Sequence, residues 1–380
     1  MRDETHSTET DGEQLSNRSK TLSRRGTLTF LGLSGLGMIS GVAAASTPIK
    51  DDMVPYVITE SGDYEVVEDI NFRGDRDEAA IRIEADEVTL NGNEHEISAR
   101  PDRTMPMAIG VVGVSDVRIH DVRTRHGSPG IRFENASGCI LENTEVRRKK
   151  RHGVEFEGVT GSILQNITSH TSERGSGFWL VDSDDNVVRN NISRHDDNGG
   201  ISLTNSNNNT VTNNRFSHSN DGWGIIIRDS KNNIVTNNEC LSHDFTGISV
   251  GGSKNVVERN DVNSNDDGGI DVSGSNNTVR HNDITGTESD YGMRVRGTEH
   301  RVMHNNLENP DSDIEMQITG ADSQITRNTI NRGESSGIHL TGESSSNRVI
   351  RSEVRSDEDD EGFDIKDEGD RNQVRANITG

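Results

Sequence analysis

The sequence predicts an all-β chain: a single-stranded, right-handed parallel β-helix, a solenoid of about 11–12 coils of close to 23 residues. Two observations predict it. A glycine followed by an apolar residue returns at a near-constant interval, and an asparagine column runs through the same array. A third observation removes the rival with a similar period. Leucine is sparse, Val and Ile dominate, and no 3.6-residue apolar period appears, so a leucine-rich repeat with its helical segment does not fit. The right hand follows from the crossover preference of parallel strands.

The first element is a leader. Ser23-Arg24-Arg25-Gly26 precedes an apolar run from Leu28 to Ala45 that ends in three alanines. A charged region, a short apolar region and small residues at its end read as a signal peptide. The paired arginines resemble the twin-arginine signal, which exports folded proteins. Residues 1–45 are therefore expected to be leader and signal, with the mature chain starting near Ser46 and lying outside the cell or on its surface. No later stretch is apolar enough for a membrane span. The β-helix domain is expected over 46–380, with N-terminal coils over 55–110 and regular repeats over 110–380.

In the regular part the glycine recurs at Gly130, Gly153, Gly177, Gly200, Gly224, Gly247, Gly269, Gly292, Gly337 and Gly362, with Asp313-Ile314 filling the one gap. Behind it the chain alternates, as in Ile201-Ser202-Leu203 and Ile248-Ser249-Val250, which is a short strand with one face inward. The asparagine column reads Asn143, Asn166, Asn191, Asn214, Asn238, Asn260, Asn282, Asn305, Asn328, Ser352 and Asn377. Stacked amides can donate to and accept from the next coil, which satisfies polar groups at an inside corner. Asn166, Asn191 and Asn377 also sit in glycosylation sequons, and a ladder position argues against their modification. Cys139 and Cys240 fall about four coils apart, too far for a disulfide, and read as small buried hydrophobes.

Composition agrees with a thin core. Apolar residues make up 28% and aromatics 3% of 380 residues, and the net charge is −24. Such an acidic, Asn-, Ser- and Gly-rich surface suits solvation in high salt, where its self-repulsion is screened. It argues against nucleic acid or an anionic membrane as the main partner.

These signatures carry a family resemblance. Ile58-Thr59-Glu60-Ser61-Gly62-Asp63-Tyr64, Ala80-Ile81-Arg82-Ile83 and Val88-Thr89-Leu90-Asn91-Gly92-Asn93 precede the Gly-Ile and Asn-Asn-x-Val-x-x-Asn repeats. Over roughly residues 55–380 the chain resembles the parallel β-helix repeat proteins of the pectate-lyase-like superfamily, in particular the NosD-like group. The resemblance implies the fold, and a function among polysaccharide lyases, hydrolases, epimerases, binding modules and NosD-type accessory proteins. The Gly-Asp-Asp and Gly-His-Gly motifs of the hydrolases and the Asp-Pro-His-Asp of the epimerases do not occur; His195-Asp196-Asp197 and His243-Asp244 are fragments of the latter. Clusters of Cys and Met that would suit copper(I) are absent as well.

Candidate site residues are those the array leaves over. Asp197, Asp221, Asp244 and Asp266 form a carboxylate column three residues before the repeat glycine, continued by Glu334 and Asp359. At one coil of spacing, about 4.8 Å, these acids repel unless cations intervene. They read as a Ca²⁺ site, as catalytic carboxylates or as a solvated turn edge. His126, His152, His195, His218 and His243 gather on the same turn, and His195 and His243 beside the acids could serve as general base or acid. Trp179 and Trp223 suit sugar-ring stacking or turn packing, as does Tyr291. On the strand, the first outward position reads Glu155, Trp179, Ser202, Ile226, Ser249, Asp271, Arg294, Glu315, His339 and Asp364. There Arg294 could neutralise a uronate carboxylate or simply pair with its neighbours. Last, Arg147 to His152 is a basic turn in an acidic protein. Arg148, Lys149, Lys150, Arg151 and His152 are candidates for holding an acidic or sulfated polysaccharide, against pairing with Glu145 and Glu173. The expected function is an exported protein that binds, and in the alternative processes, acidic polysaccharide along one face. Open coil ends also predict end-to-end self-association.

Overall fold

A computed structural model describes residues 45–99, 106–287, 291–308, 313–331, 336–355, 363–375 and 377–379. Of the leader expected over 1–45, residues 1–44 lie outside the described ones, as do Glu334, Asp359 and Gly362. Strands pair in parallel with the strand one coil away, in two sheets that wrap a right-handed solenoid. One sheet stacks 14 strands, from Tyr56–Ile58 to Phe363–Asp367, and the other takes two short strands from most coils. The result is about 13 turns of ~23 residues. Coil length varies early on: Ile81 pairs with Ile109, 28 residues further along. That irregularity hides coils from a fixed-period count.

Three inward columns fill the core. The 14-stranded sheet contributes Ile201, Ile225, Ile248 and Ile270; the two short strands contribute Val211, Val235, Val257 and Phe216, Cys240, Val262. All are at most 1% exposed. Each coil adds one thin apolar layer between identical layers, which is how 28% apolar residues suffice. Cys139 and Cys240 are buried free thiols. The repeat glycine is explained by contact with the third column. A Cβ on Gly200 would meet the Phe216 ring at 2.4 Å, and one on Gly269 would meet Ile284 at 2.2 Å. This corrects two expectations. Because Ile314 pairs with Ser336 and Met316 with Ile338, Glu315 and not Asp313 stands at the glycine position, opposite Gly337. Glu315 is 0% exposed, so it is not part of the outward column; Gln317 takes that place, and Lys366 takes the place given to Asp364.

The asparagine ladder holds from Asn191 onward. The Asn238 side-chain oxygen accepts the backbone N–H of Asn214 at 3.0 Å, and its Nδ2 donates to the carbonyl of Val211 at 2.9 Å and to Asn260 Oδ1 at 3.0 Å. Each amide thus closes one N–H and one C=O that the corner takes out of the strand ladder. Asn143 and Asn166 are corrected by one residue. The inward positions are Thr144 and Ile167, and Asn191 Oδ1 accepts from Ile167 N–H at 2.8 Å. Asn143 and Asn166 occupy the preceding left-handed position, with φ of 50° and 55°, and are exposed. The sequon at Asn166 is on the surface, while that at Asn191 is inside. A second ladder runs one strand earlier through Ser162, Asn186, Asn209, Asn233, Asn255 and Asn277, continuing through His300, Ser323 and Asn347.

Replacing Asn238 by Ala should cost about 2–3 kcal/mol, since it orphans a buried N–H and a buried C=O. Asn166→Ala should stay within about 0.5 kcal/mol. Chemical denaturation of the two variants checks both, and equal losses would contradict the register.

Candidate outer-face glycan site

The outer face of the 14-stranded sheet carries two polar clusters. In the first, Arg132 faces Glu155 at 3.3 Å and Glu134 at 3.3 Å, and bonds Glu157. Glu155 is only 2% exposed. Burial raises its pKa, the Arg132 and Arg151 charges oppose the rise, and its Oε2 has no hydrogen-bond partner. One coil on, Trp179 pairs in register with Glu155. Its ring lies parallel to His152, with centroids 4.8 Å apart and an interplanar angle of 9°. Burial, then the Arg151 charge, pushes the His152 pKa down to about 3. The imidazole is therefore neutral, and its Nδ1 accepts the Ser176 N–H at 3.2 Å. Trp179 is partly exposed, with the small Ser202 in register one coil on.

In the second cluster Asp271, 4% exposed, accepts from Arg294 at 2.6 Å and from Arg296 at 3.1 and 2.6 Å. The Arg294 guanidinium lies 4.3 Å over the Tyr291 ring. Arg294 thus has a neighbour to pair with, but it is Asp271 and not Glu315. Trp223 is placed differently from Trp179. It packs on Phe245 at 4.7 Å, under the Arg228 guanidinium at 5.0 Å.

The acid–histidine edge splits between outside and inside. The expected acid column is corrected in one coil: the register runs Asp197, Asn220, Asp244 and Asp266, and Asp221 stands one residue further along. The Asp244 pKa is raised by desolvation and then by Asp266, Asp221 and Asp267. His195 is also outside and rests on His218 at 5.1 Å. His243 is not. It is 1% exposed, its Nδ1 meets Ser219 Oγ at 2.6 Å and its Nε2 the Phe216 carbonyl at 3.1 Å. Burial holds its pKa down to about 4, so it is an interior polar filler and not a surface acid or base. Asp196, part of the motif fragment His195-Asp196-Asp197 but not among the candidate site residues, is interior as well. Its carboxylate takes the Ser172 N–H at 2.8 Å and the Ser193 hydroxyl at 2.6 Å, and burial pushes its pKa up to about 6. Arg294 stands three coils beyond Asp221, about 14 Å at one coil rise each. Asp197, Asp221 and His195 therefore do not converge with Arg294 on one reacting group.

The basic turn is partly paired. Arg147 bonds Glu145, and Lys150 bonds Glu173. Lys149 is corrected from a ligand contact to a core residue. It is 0% exposed, its Nζ donates to the His126 carbonyl, and burial drives its pKa well below the usual lysine value. Arg148, at φ 53°, and Arg151 remain outside.

With that geometry in hand, sequence comparison gives a family. The model described as "Periplasmic copper-binding protein (NosD)" matches residues 46–222 and 264–379, and "Right handed beta helix region" matches 174–307. The chain belongs to the NosD family. No curated protein matches it in sequence. Among solved structures, this NosD-family chain is similar to the A-module of the mannuronan C-5 epimerase AlgE6 of Azotobacter vinelandii. The identity is 16%, over 84% of this chain and 91% of that one, with a TM-score of 0.56. It is also similar to a variant of the periplasmic alginate epimerase AlgG, at 13% identity over 88% and 84% of the chains, TM-score 0.56. At these identities the likeness is one of fold. No helix among the described residues is long and apolar enough to cross a membrane. Among the described residues the sulfur donors are not grouped as a copper(I) site needs. Copper(I) takes thiolate and thioether sulfur, yet Cys139 and Cys240 are buried in separate coils with burial raising their pKa. Met107, Met293 and Met316 are also buried. Among the described residues no three His, Cys, Asp or Glu side chains are grouped to hold a metal ion.

The interior acid and histidine make opposite pH predictions. An unfolded chain releases the Asp196 proton near 3.8, whereas the folded one keeps it to about 6. Stability is therefore lost as pH rises across that window, on the order of 3 kcal/mol. His243 works the other way: the unfolded chain holds a proton up to 6.5 and the folded one only up to about 4, so stability is gained as pH rises between them. Asp196→Asn should be more stable than the parent above pH 6 and equal to it below 4, and His243→Asn should lose the gain. Unfolding midpoints across pH 3–8 test this; parallel curves for all three proteins would refute it.

Proposed function

We propose that the protein is exported by the twin-arginine route and binds an acidic polysaccharide along the outer face of its 14-stranded sheet. The observation that carries this is Trp179. It is a half-exposed indole held flat by a neutral, buried imidazole, with Ser202 in register on one side and the Glu155–Arg132 pair on the other. A partly exposed indole braced by a stacked imidazole is a surface on which a pyranose stacks. Arg151, whose charge acts on both His152 and Glu155, supplies charge for a uronate or sulfate, and the exposed Arg148 lies on the same turn. The two solved structures named above are epimerases of mannuronan and of alginate, which are acidic polysaccharides. A solenoid face is also long enough to hold several sugar rings at once.

A second reading is processing of the same polymer as a lyase or epimerase, and Asp271 with Arg294, Arg296 and Tyr291 favours it. Two guanidinium groups and a phenol converge there on the sheet's outer face. A uronate carboxylate displacing Asp271 from one arginine would leave that carboxylate beside the substrate as a base.

Retention on an immobilised polyuronate gel tests the binding reading. Trp179→Ala should weaken binding about tenfold or more, in line with the 1–3 kcal/mol of a stacking contact, without a shift in thermal midpoint. Unchanged retention would remove the face from consideration. Incubation with a panel of uronic-acid polymers, followed by absorbance for unsaturated ends and by proton exchange at the sugar, separates the readings. Product from the parent that disappears in Asp271→Asn supports processing, and no product with intact retention supports binding alone.

A further inference from the structure

We infer a second polyanion site, on the opposite sheet near the last coils. A groove of about 410 Å³ is lined by Gln324, Thr326, Arg327, Arg348, Ile350 and Arg351. Register extends its charge along the solenoid. Arg301 lies one coil before Gln324 and Arg348 one coil after it, while Arg375 follows Ile350. The corner residue changes character towards this groove. In earlier coils the left-handed position holds Asn190, Asn213 and Asn237; it then holds Arg259, His281, His304, Arg327 and Arg351, with φ between 55° and 58°. Asn is the side chain that suits this backbone best, so a run of Arg and His there, ending in Arg327 and Arg351 at the groove, is not explained by the turn.

The groove gathers arginines without acidic partners. Many others are matched across coils, as Arg118 with Glu142, Arg123 with Glu94, Arg215 with Glu239 and Arg280 with Glu258. Arg301, Arg327, Arg348, Arg351 and Arg375 have no ion-pair partner among the described residues, in a chain with 64 acidic residues against 40 basic ones. Exposed like charges one coil apart repel at about 5 Å, and a ligand of opposite charge relieves that. The ligand is a linear polyuronate. It carries one carboxylate per ring, and a pyranose ring is about as long as one coil is high, so successive carboxylates meet successive coils. Thr326 and Gln324 supply hydrogen bonds to hydroxyls, and Ile350 an apolar patch for a ring edge. The site shares a ligand class with the reading above but none of its residues.

Calorimetric titration of the full chain with a uronate hexamer and with the monomer tests it, at two salt concentrations. Arg327→Gln/Arg348→Gln/Arg351→Gln should lose about tenfold or more in hexamer affinity and flatten the salt dependence, as loss of three charge contacts requires. The matched control Arg118→Gln/Arg123→Gln/Arg215→Gln should change by less than about twofold, since its arginines are already paired. An unshifted thermal midpoint excludes misfolding. If the groove variant binds like the parent while Trp179→Ala does not, the groove is wrong and the outer-face reading stands. Loss in the groove variant alone supports the groove and counts against Trp179. The groove is also overturned if monomer or inorganic phosphate competes as well as the hexamer, which marks a single-anion site. An oligodeoxythymidylate of equal charge binding more tightly would overturn it too, in favour of nucleic acid.

Discussion

Everything in this protein hangs on how a buried corner satisfies its backbone. A parallel coil must bend sharply between strands, and each bend removes an N–H and a C=O from the strand ladder with no water inside to take them. An inward asparagine meets both needs, and stacking lets its amide also bond the amide of the next coil. The residue before it must be left-handed, which is why Asn-Asn pairs such as Asn213-Asn214 and Asn237-Asn238 recur. The substitutions obey the same need. Ser352 and Ser323 present a hydroxyl, and His300 presents Nδ1 to the Asn277 N–H at 3.2 Å while Nε2 donates to the Arg296 carbonyl at 2.7 Å. Burial lowers the His300 pKa, which fits a neutral ring with one acceptor and one donor.

Period and polarity made the solenoid legible, because each is repeated many times and errors average out. Register did not average out. Asn143 and Asn166 lie in the right window and are the right residue, yet they belong to the left-handed position because the ladder slot in those coils holds Thr144 and Ile167. Likewise Glu315 stands where the pattern demands glycine, so a search for the nearest polar-apolar step settles on Asp313. A strand has a period of two, and a slip of one residue exchanges inside for outside. Only the pairing partner decides between them, and the partner is a coil away in sequence.

The candidate site was harder to read for the same reason. His243, Lys149 and Asp196 carry the chemistry of surface sites, but they sit at inward positions of the third corner. There the ladder is irregular: Lys149, Ser172, Asp196, Ser219, His243 and Asn265 succeed one another. In a sequence, an ionisable residue beside a turn suggests exposure, whereas this corner buries such groups and burial shifts each towards its neutral form. Trp179 was legible as a residue and not as a site. What makes it one is His152 beneath it, whose neutrality follows from burial that no spacing rule reveals.

Stacking also constrains charge. A column repeats every coil, so a charged residue on the surface has neighbours at about 5 Å above and below whether or not they suit it. Matching signs within a column stabilises little, because exposed pairs contribute at most about 1 kcal/mol. Mismatching costs a comparable amount, but it accumulates along the column. Alternation is therefore the resting arrangement, visible where Asp271 meets Arg294 and where Arg215 meets Glu239. A column that keeps one sign gives up that arrangement at every step, as Asp244 followed by Asp266 does; desolvation, then the Asp266 charge, raises the Asp244 pKa. Counter-charge must then come from outside the chain, from dissolved ions or from a molecule that presents its own charges at the same interval. In this geometry the sign pattern along a column, more than any single residue, tells what the surface is built to meet.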